Sequence, residues 1–256
     1  MTPATSKLSS PEIQQQLATV QHWYHRIEVA PGITTPGVHD SPSALKLLQL
    51  PNDCRGLRAL DIGARDGFFS FELEKRGAKV LAIDYVPETQ TGFAVARNLL
   101  GSQVQFELAN VYDLQPDRYG TFDLVLFLGV LYHLRNPLLA LDRVRSVCKD
   151  RMWLESYVID HSVLDPSTGK FRELREFAPG LVSSPIMQFY PREELNKDFT
   201  NWWGPNMACL KGLAEAAGFS IERELLHGER GLLQCRAKDD VRLNYFRDIE
   251  SSVVPG

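Results

Sequence analysis

Leu57-Arg58-Ala59-Leu60-Asp61-Ile62-Gly63-Ala64-Arg65-Asp66-Gly67-Phe68 is followed one helix later by Val80-Leu81-Ala82-Ile83-Asp84. The first stretch is a short apolar run that breaks at a glycine-bearing turn and gives way to a helical pattern. A parallel strand hands over to its crossover helix in this way. The second run, 79–83, ends in an acid about twenty residues beyond the turn, where a dinucleotide-type fold holds a ribose diol. Together the two runs describe a pocket for an adenosine-bearing ligand.

A glycine turn alone is a weak signal, because any strand-to-helix turn can contain one. The acids around it add information. A pyrophosphate is held by helix N-terminal amides, and carboxylates beside it repel it. Asp61 and Asp66 both flank this turn, which disfavours a nicotinamide dinucleotide and suits a ligand with a cationic ammonium group, such as S-adenosyl-L-methionine. On this reading Asp84 accepts hydrogen bonds from the ribose hydroxyls, and Asp61 orients the amino group of the methionine moiety. Gly63 and Gly67 let the backbone approach that moiety. Asn110 and Val111, after a strand over 103–108, lie where this fold contacts adenine. Arg65 within the turn and Gly129 after a later strand complete the predicted cofactor set.

The chain has 256 residues, enough for one large domain with an appended cap. Its 44% hydrophobic and 23% charged composition is that of a globular protein, and no apolar run approaches the length of a membrane span. The first residues lack the apolar core of a signal peptide, so a cytoplasmic location is expected. Cys54, Cys148, Cys209 and Cys235 are far apart and fit neither metal spacing nor a disulfide scaffold, so they read as reduced thiols in or near the core. A net charge of −4 and a pI near 5.9 lack the broad basic footprint of a nucleic-acid enzyme. Arg143, Arg145, Lys149 and Arg151 form the one local basic cluster singled out, and such a run is usually the wet face of a helix.

Ser10-Pro11-Glu12 opens a helix over 11–23, and Ala30-Pro31-Gly32 with Thr35-Pro36-Gly37 punctuates the loops that follow. Residues 1–50 read as an N-terminal cap, with the main domain over 51–256. Strands are expected over 57–62, 79–84, 103–108, 122–128 and 151–158, with helices over 67–76, 88–100 and 136–148. Continuous apolar runs such as Leu124-Val125-Leu126-Phe127-Leu128 mark strands buried on both faces, as parallel strands are. The fold class is therefore α/β: a doubly wound, mostly parallel seven-stranded sheet that places ligands at its carboxyl edge. Five prolines between 160 and 207 break the pattern, and that stretch reads as an inserted lid. A helix over 207–217 and strands over 219–226 and 231–238, joined at Leu225–Gly231, close the domain as an antiparallel hairpin.

The glycine turn, the acid ending the second strand, Phe122-Asp123-Leu124-Val125 and Gly129-Val130-Leu131-Tyr132-His133 occur in the order seen in class I S-adenosylmethionine-dependent methyltransferases, which this chain resembles. More narrowly, Gly129–His133 with Asn136-Pro137-Leu138, then Leu154-Glu155-Ser156-Tyr157-Val158-Ile159-Asp160 and Phe189-Tyr190-Pro191, resemble the group containing the tRNA wobble-uridine carboxymethyl-transferring enzymes. The likeness covers roughly residues 57 to 220 and extends to Trp23-Tyr24-His25 and Thr35-Pro36-Gly37. Two departures stand out. The usual middle glycine of the cofactor loop is Arg65, and the Trp-Arg-Lys-Gly-Pro stretch with which the carboxymethyl enzymes hold a carboxylated cofactor does not occur. A buried carboxylate needs a cationic partner, so ordinary S-adenosylmethionine is the expected cofactor, with S-adenosyl-L-homocysteine as product.

The resemblance implies in-line methyl transfer, which needs alignment of nucleophile, methyl and sulfur, and a base if the nucleophile is a hydroxyl. Tyr132 and His133 follow strand 122–128 and are the first candidates; His25 in the cap is the competing base. Tyr24, Tyr190, Arg192, Trp202, Trp203 and Asn206 supply aromatic walls and polar anchors for an organic acceptor. Asp160, His161 and Asp165 cluster in sequence, but methyl transfer needs no metal and none is expected. The leading expectation is O-methylation of a small molecule such as a specialised metabolite or sugar. The alternatives are modification of a tRNA wobble uridine and a cofactor-binding regulator without catalysis.

Overall fold

The computed structural model describes residues 8–238. Seven strands form the main sheet: β1 (Arg58–Ile62), β2 (Lys79–Asp84), β3 (Gln105–Leu108), β4 (Phe122–Leu128), β5 (Cys148–Tyr157), β6 (Phe219–His227) and β7 (Arg230–Ala237), in the order β6-β7-β5-β4-β1-β2-β3. β1 and β2 pair in parallel from Arg58↔Lys79 to Ile62↔Ile83, and β2 pairs with β3 from Leu81↔Gln105 to Asp84↔Leu108. β7 runs antiparallel to both β5 and β6. This is the expected Rossmann-like sheet with its antiparallel C-terminal hairpin. The apolar run of β4 explains its place, since Leu124 to Phe127 expose 2% or less of their surface. The hairpin closes at His227↔Arg230 across a two-residue turn whose first residue, Gly228, takes φ 59°, as the twist of paired strands favours.

The helices are α1 (Ser10–Leu17), α2 (Ser41–Leu48), α3 (Phe68–Lys75), α4 (Phe93–Leu100), α5 (Pro116–Tyr119), α6 (Pro137–Val147), α7 (Leu174–Phe177) and α8 (Met207–Ala216). Two differ from the sequence expectation. A Ser9/Glu12 capping box starts α1, but the helix stops at Leu17 instead of reaching 23, because Trp23 turns back to donate its indole N–H to the Leu17 carbonyl at 3.1 Å. α4 begins at Phe93, not 88, because the Gly92 amide is held by the Asp66 carboxylate at 2.8 Å.

Two compact units divide the described chain: residues 8–113 with 122–126, and residues 114–121 with 127–238. The described part of the expected cap, 8–50, therefore belongs to the first unit. There Thr35 Oγ1 accepts from the Ile27 amide and donates to the His25 carbonyl at 2.6 Å. His25 and His39 form an isolated parallel bridge, and Gly37 passes so close that an added Cβ would lie 2.1 Å from the His25 carbonyl oxygen.

In the second unit the expected lid holds two short ribbons, Val163–Asp165 with Lys170–Arg172 and Met187–Phe189 with Trp203–Pro205. Its core gathers Tyr132, Tyr157, Ile159, Val163, Leu174, Tyr190 and Leu195. Arg145 from the basic cluster donates to the carbonyls of Gly218, Cys148 and Lys238, and Arg151 lies 3.6 Å from Glu222, so both serve the sheet edge. All four cysteines are buried free thiols. Among the described residues, no helix is long and apolar enough to cross a membrane.

The contact at Gly37 is backbone on backbone and has no side chain to yield. Gly37→Ala is expected to cost at least about 1–3 kcal/mol in urea unfolding. Gly212→Ala in α8, where nothing lies within 4 Å, is expected to stabilise by about 1 kcal/mol.

Candidate active site

In the first unit the turn from β1 to α3 places three residues in the left-handed region: Gly63 (φ 73°), Arg65 (φ 53°) and Gly67 (φ 89°). Arg65 thus adopts the conformation that a glycine would take at that position, at a cost of about 1–2 kcal/mol. Its amide donates to Asp84 Oδ2 at 2.9 Å, a hydrogen bond to a carboxylate that offsets the cost. The Gly63 and Ala64 amides both donate to the Ile83 carbonyl, locking the turn to the end of β2. Gly67 also has a packing reason. A Cβ there would lie 2.7–2.8 Å from the rings of Phe71 and Phe93, so this glycine makes room for packed aromatics.

The three aspartates divide the work. Asp84 accepts from Arg65 and Val86 amides, one on each oxygen, and a carboxylate offers about four acceptor sites, which leaves capacity for a diol. Burial raises its pKa and these amides oppose the rise. Asp61 is 3% exposed and receives the Ser70 hydroxyl at 2.6 Å. Burial, with Asp84 nearby, pushes it up to about 6. An acid held there favours a cationic ligand group, whose arrival would restore the charged form. Asp66 is corrected: it is fully buried and accepts the amides of Tyr24, His25 and Gly92 at 2.7–2.8 Å, so it is an architectural anchor. Asn110 is exposed with its side chain turned to the Tyr112 amide, and Val111 is buried in a short 3-10 turn. Ser70 was not anticipated; its only trace in the sequence is a hydroxyl on the apolar first turn of α3.

His25 sits in an aromatic cluster with Tyr24, His39, Phe68 and Phe69, Tyr24 stacking on His39 at 5.1 Å. Its Nδ1 is buried and unpartnered. Burial, then the neighbouring His39 and Arg65, lower its pKa to about 3. A base that weak accepts a proton poorly, so its surroundings do not favour the expected role as general base.

The second unit holds the other candidates. Tyr132 accepts a hydrogen bond from Arg230 at 3.1 Å, and Arg230 lies 3.5 Å from Glu155. Burial raises the Glu155 pKa and Arg230 opposes it. The Gly129 amide donates to the Glu155 carbonyl, and its absent Cβ would face Glu155 and the Tyr132 hydroxyl. His133 is half-buried, its ring 4.2 Å from that of Tyr132, with Nδ1 2.9 Å from the Thr200 hydroxyl and the latter 2.6 Å from Asp198. Burial lowers the His133 pKa, while Asp198 and Thr200 raise it and Arg230 lowers it further. Neither Thr200, Asp198, Glu155 nor Arg230 was among the sequence candidates.

Two expected acceptor residues are corrected. Tyr190 is 1% exposed and donates to Gln188, inside the core. Asn206, fully buried, caps α8 through the Cys209 amide and donates to the carbonyls of Leu181, Val182 and Ser184. Both are engaged by the protein itself. Trp202 and Trp203 are partly exposed and pack against Phe189, with Arg135 over Trp202; Arg192 is exposed. Asp160 receives the Met207 amide, His161 faces Glu173 and Asp165 receives Ser167, so the three serve separate contacts.

His25 carries a pH signature. With about 3 in the fold against 6.5 unfolded, it stays neutral in the native state while the unfolded chain takes up a proton. Its contribution to stability is complete above 6.5 and is lost as pH falls toward 3. His25→Gln should therefore flatten the loss of stability between pH 6 and 4 by about 1.4 kcal/mol per pH unit, measured by urea unfolding.

Comparison with known proteins gives this geometry its context. A family model described as a methyltransferase domain matches residues 38–202, more than half of the chain. A tRNA U34 carboxymethyltransferase from Campylobacter hominis is 35% identical over 112 residues, covering 42% of this chain and 39% of that protein. A ubiquinone biosynthesis O-methyltransferase from Xanthomonas oryzae pv. oryzae is 30% identical over 136 residues, 53% of this chain and 55% of its own. The matches thus span about two fifths to just over half of these relatives' length. Among solved structures, the N-terminal domain of EvdMO1 with SAH and D-fucose aligns with a TM-score of 0.63 over 91% of this chain and 98% of that domain at 20% identity, a likeness of fold. Magnesium protoporphyrin IX methyltransferase from Synechocystis PCC 6803 aligns at 0.51 over 77% of each chain with 18% identity. The acid-flanked turn, the strand order and the family match agree, and the chain belongs to the methyltransferase-domain family with the fold of the class I S-adenosylmethionine-dependent enzymes.

Proposed function

We propose that this enzyme transfers a methyl group from S-adenosyl-L-methionine to a hydroxyl of a small organic molecule, with His133 as the general base. The residues of the first unit fit the cofactor: Asp84 retains acceptor capacity for the ribose diol, and the raised Asp61 suits the ammonium group. When bound, the cofactor supplies an electrophilic methyl on a sulfonium. In such a transfer His133 would take the proton of the acceptor hydroxyl, the methyl would pass from sulfur to that oxygen, and S-adenosylhomocysteine would be released. The observation that carries this reading is the contrast between the two histidines. His25 is buried with its pKa near 3, whereas His133 is half-buried with one ring nitrogen held by Thr200.

The relatives include an O-methyltransferase of ubiquinone biosynthesis, which favours oxygen, and a tRNA U34 carboxymethyltransferase, which favours the tRNA alternative. The net charge of −4 weighs against a polyanionic acceptor.

Calorimetry with S-adenosyl-L-methionine should find Asp84→Asn binding about 10–100-fold weaker, the loss of one or two charge-assisted hydrogen bonds. Unchanged affinity would remove Asp84 from the site. His133→Gln should lower kcat about 10²–10⁴-fold with cofactor affinity retained. In the wild type, kcat/KM should rise with pH and reach half its maximum below pH 6.5, since the histidine must be neutral and its pKa lies under that value. Methylation of extract that disappears after ribonuclease treatment would favour the tRNA reading instead.

A further inference from the structure

Thr200 has one hydroxyl proton, and Asp198 Oδ1, 2.6 Å away, can only accept it. The same hydroxyl oxygen lies 2.9 Å from His133 Nδ1, so with its proton committed it can only accept from that nitrogen. The main-chain carbonyl of Thr200 lies 3.3 Å from the same nitrogen, and a carbonyl has nothing to donate. Two independent acceptors therefore require the proton on Nδ1 and leave Nε2 with its lone pair.

We propose that Asp198 and Thr200 are positioning residues that hold neutral His133 in the Nδ1–H form, presenting Nε2 as the proton acceptor. This rests on the reading of His133 as the base. Histidine in water prefers the other tautomer, with the proton on Nε2, so the chain Asp198–Thr200–His133 reverses an intrinsic preference.

The loop that carries the two residues is built to deliver them. Leu195 is 2% exposed in the core of the second unit, and the Asn201 side chain donates to its carbonyl at 2.9 Å, closing the loop. Asn196 and Lys197 then turn through the left-handed region, at φ 58° and 55°. The Thr200 amide also donates to Asp198 Oδ1 at 2.8 Å, so the carboxylate is held from two directions. Immediately beyond, the Trp202 amide donates to the Tyr132 carbonyl at 2.9 Å, which registers the loop on the residue before His133. The charged groups acting on His133 are Asp198 from this loop, which favours the protonated ring, and Arg230 from β7, which disfavours it.

The test is ¹⁵N NMR of the full chain labelled at its six histidines, at pH 8, with His133→Gln used to assign the signals. The expected spectrum for His133 has a protonated, pyrrole-like Nδ1 and an unprotonated, pyridine-like Nε2. The opposite pattern in the wild type would overturn the proposal without any variant. Thr200→Val removes the hydroxyl and leaves only the main-chain carbonyl, at 3.3 Å, so the share of the Nε2–H form should rise and kcat should fall by up to about tenfold while cofactor affinity is unchanged, and Thr200→Ser should restore both readouts. A tautomer population unchanged by Thr200→Val would assign the hold to the main-chain carbonyl alone and overturn the positioning role of Asp198 and the Thr200 hydroxyl. The NMR readout needs no acceptor, so its failure is separable from that of the base reading: a correct tautomer with full turnover in His133→Gln would refute the base and leave the hydrogen-bond chain standing.

Discussion

The Asp66 carboxylate is the contact on which the first unit depends. It is fully buried, and among the described residues no lysine or arginine hydrogen-bonds to it; three backbone amides, from Tyr24, His25 and Gly92, converge on its two oxygens instead. Hydrogen bonds to a charged acceptor are roughly twice as strong as neutral ones. Leaving such a carboxylate unsatisfied in the interior would cost several kcal/mol. One side chain inside the β1–α3 turn thereby joins the N-terminal segment and the entry of α4 to that turn. The start of α4 and the aromatic cluster around His25 both follow from this convergence.

The second unit uses the same device with different groups. Asn206 gathers the ends of the 181–186 stretch onto the first turn of α8, and Asp198 gathers the Thr200 amide and hydroxyl. Long loops carry many main-chain donors and acceptors that no sheet or helix satisfies, and short side chains with several hydrogen-bonding atoms satisfy them locally. This explains why Asn206, which looks like a ligand anchor in the sequence, turns inward.

The sheet was legible because each of its strands has a local signature. β2 and β4 end where their apolar runs end, and the hairpin of β6 and β7 is marked by Gly228. The helix starts were less legible: α4 is delayed to Phe93 by the hydrogen bond that the Gly92 amide donates to Asp66, 26 residues before it, which no local pattern encodes. Among the candidate site residues, the strand-end places of Asp61 and Asp84 were readable in the sequence. The contrasting environments of His25 and His133 were not, because burial and the partners Thr200 and Asp198 come from distant segments. Arg65 shows the limit from the other side. An arginine where a glycine is usual reads as a defect, yet the Asp84 carboxylate holds it in the glycine conformation.

On the proposed function, the acid-lined turn awaits a cation. Asp61, held up to about 6 by burial, should give up its proton when a ligand ammonium group arrives. The most direct measurement is calorimetric binding of S-adenosyl-L-homocysteine at pH 6 in buffers of different ionisation enthalpy, in wild type and Asp61→Asn. Release of about half a proton per ligand bound is expected in the wild type and absent in the variant. Proton uptake, or release unchanged by Asp61→Asn, would contradict it.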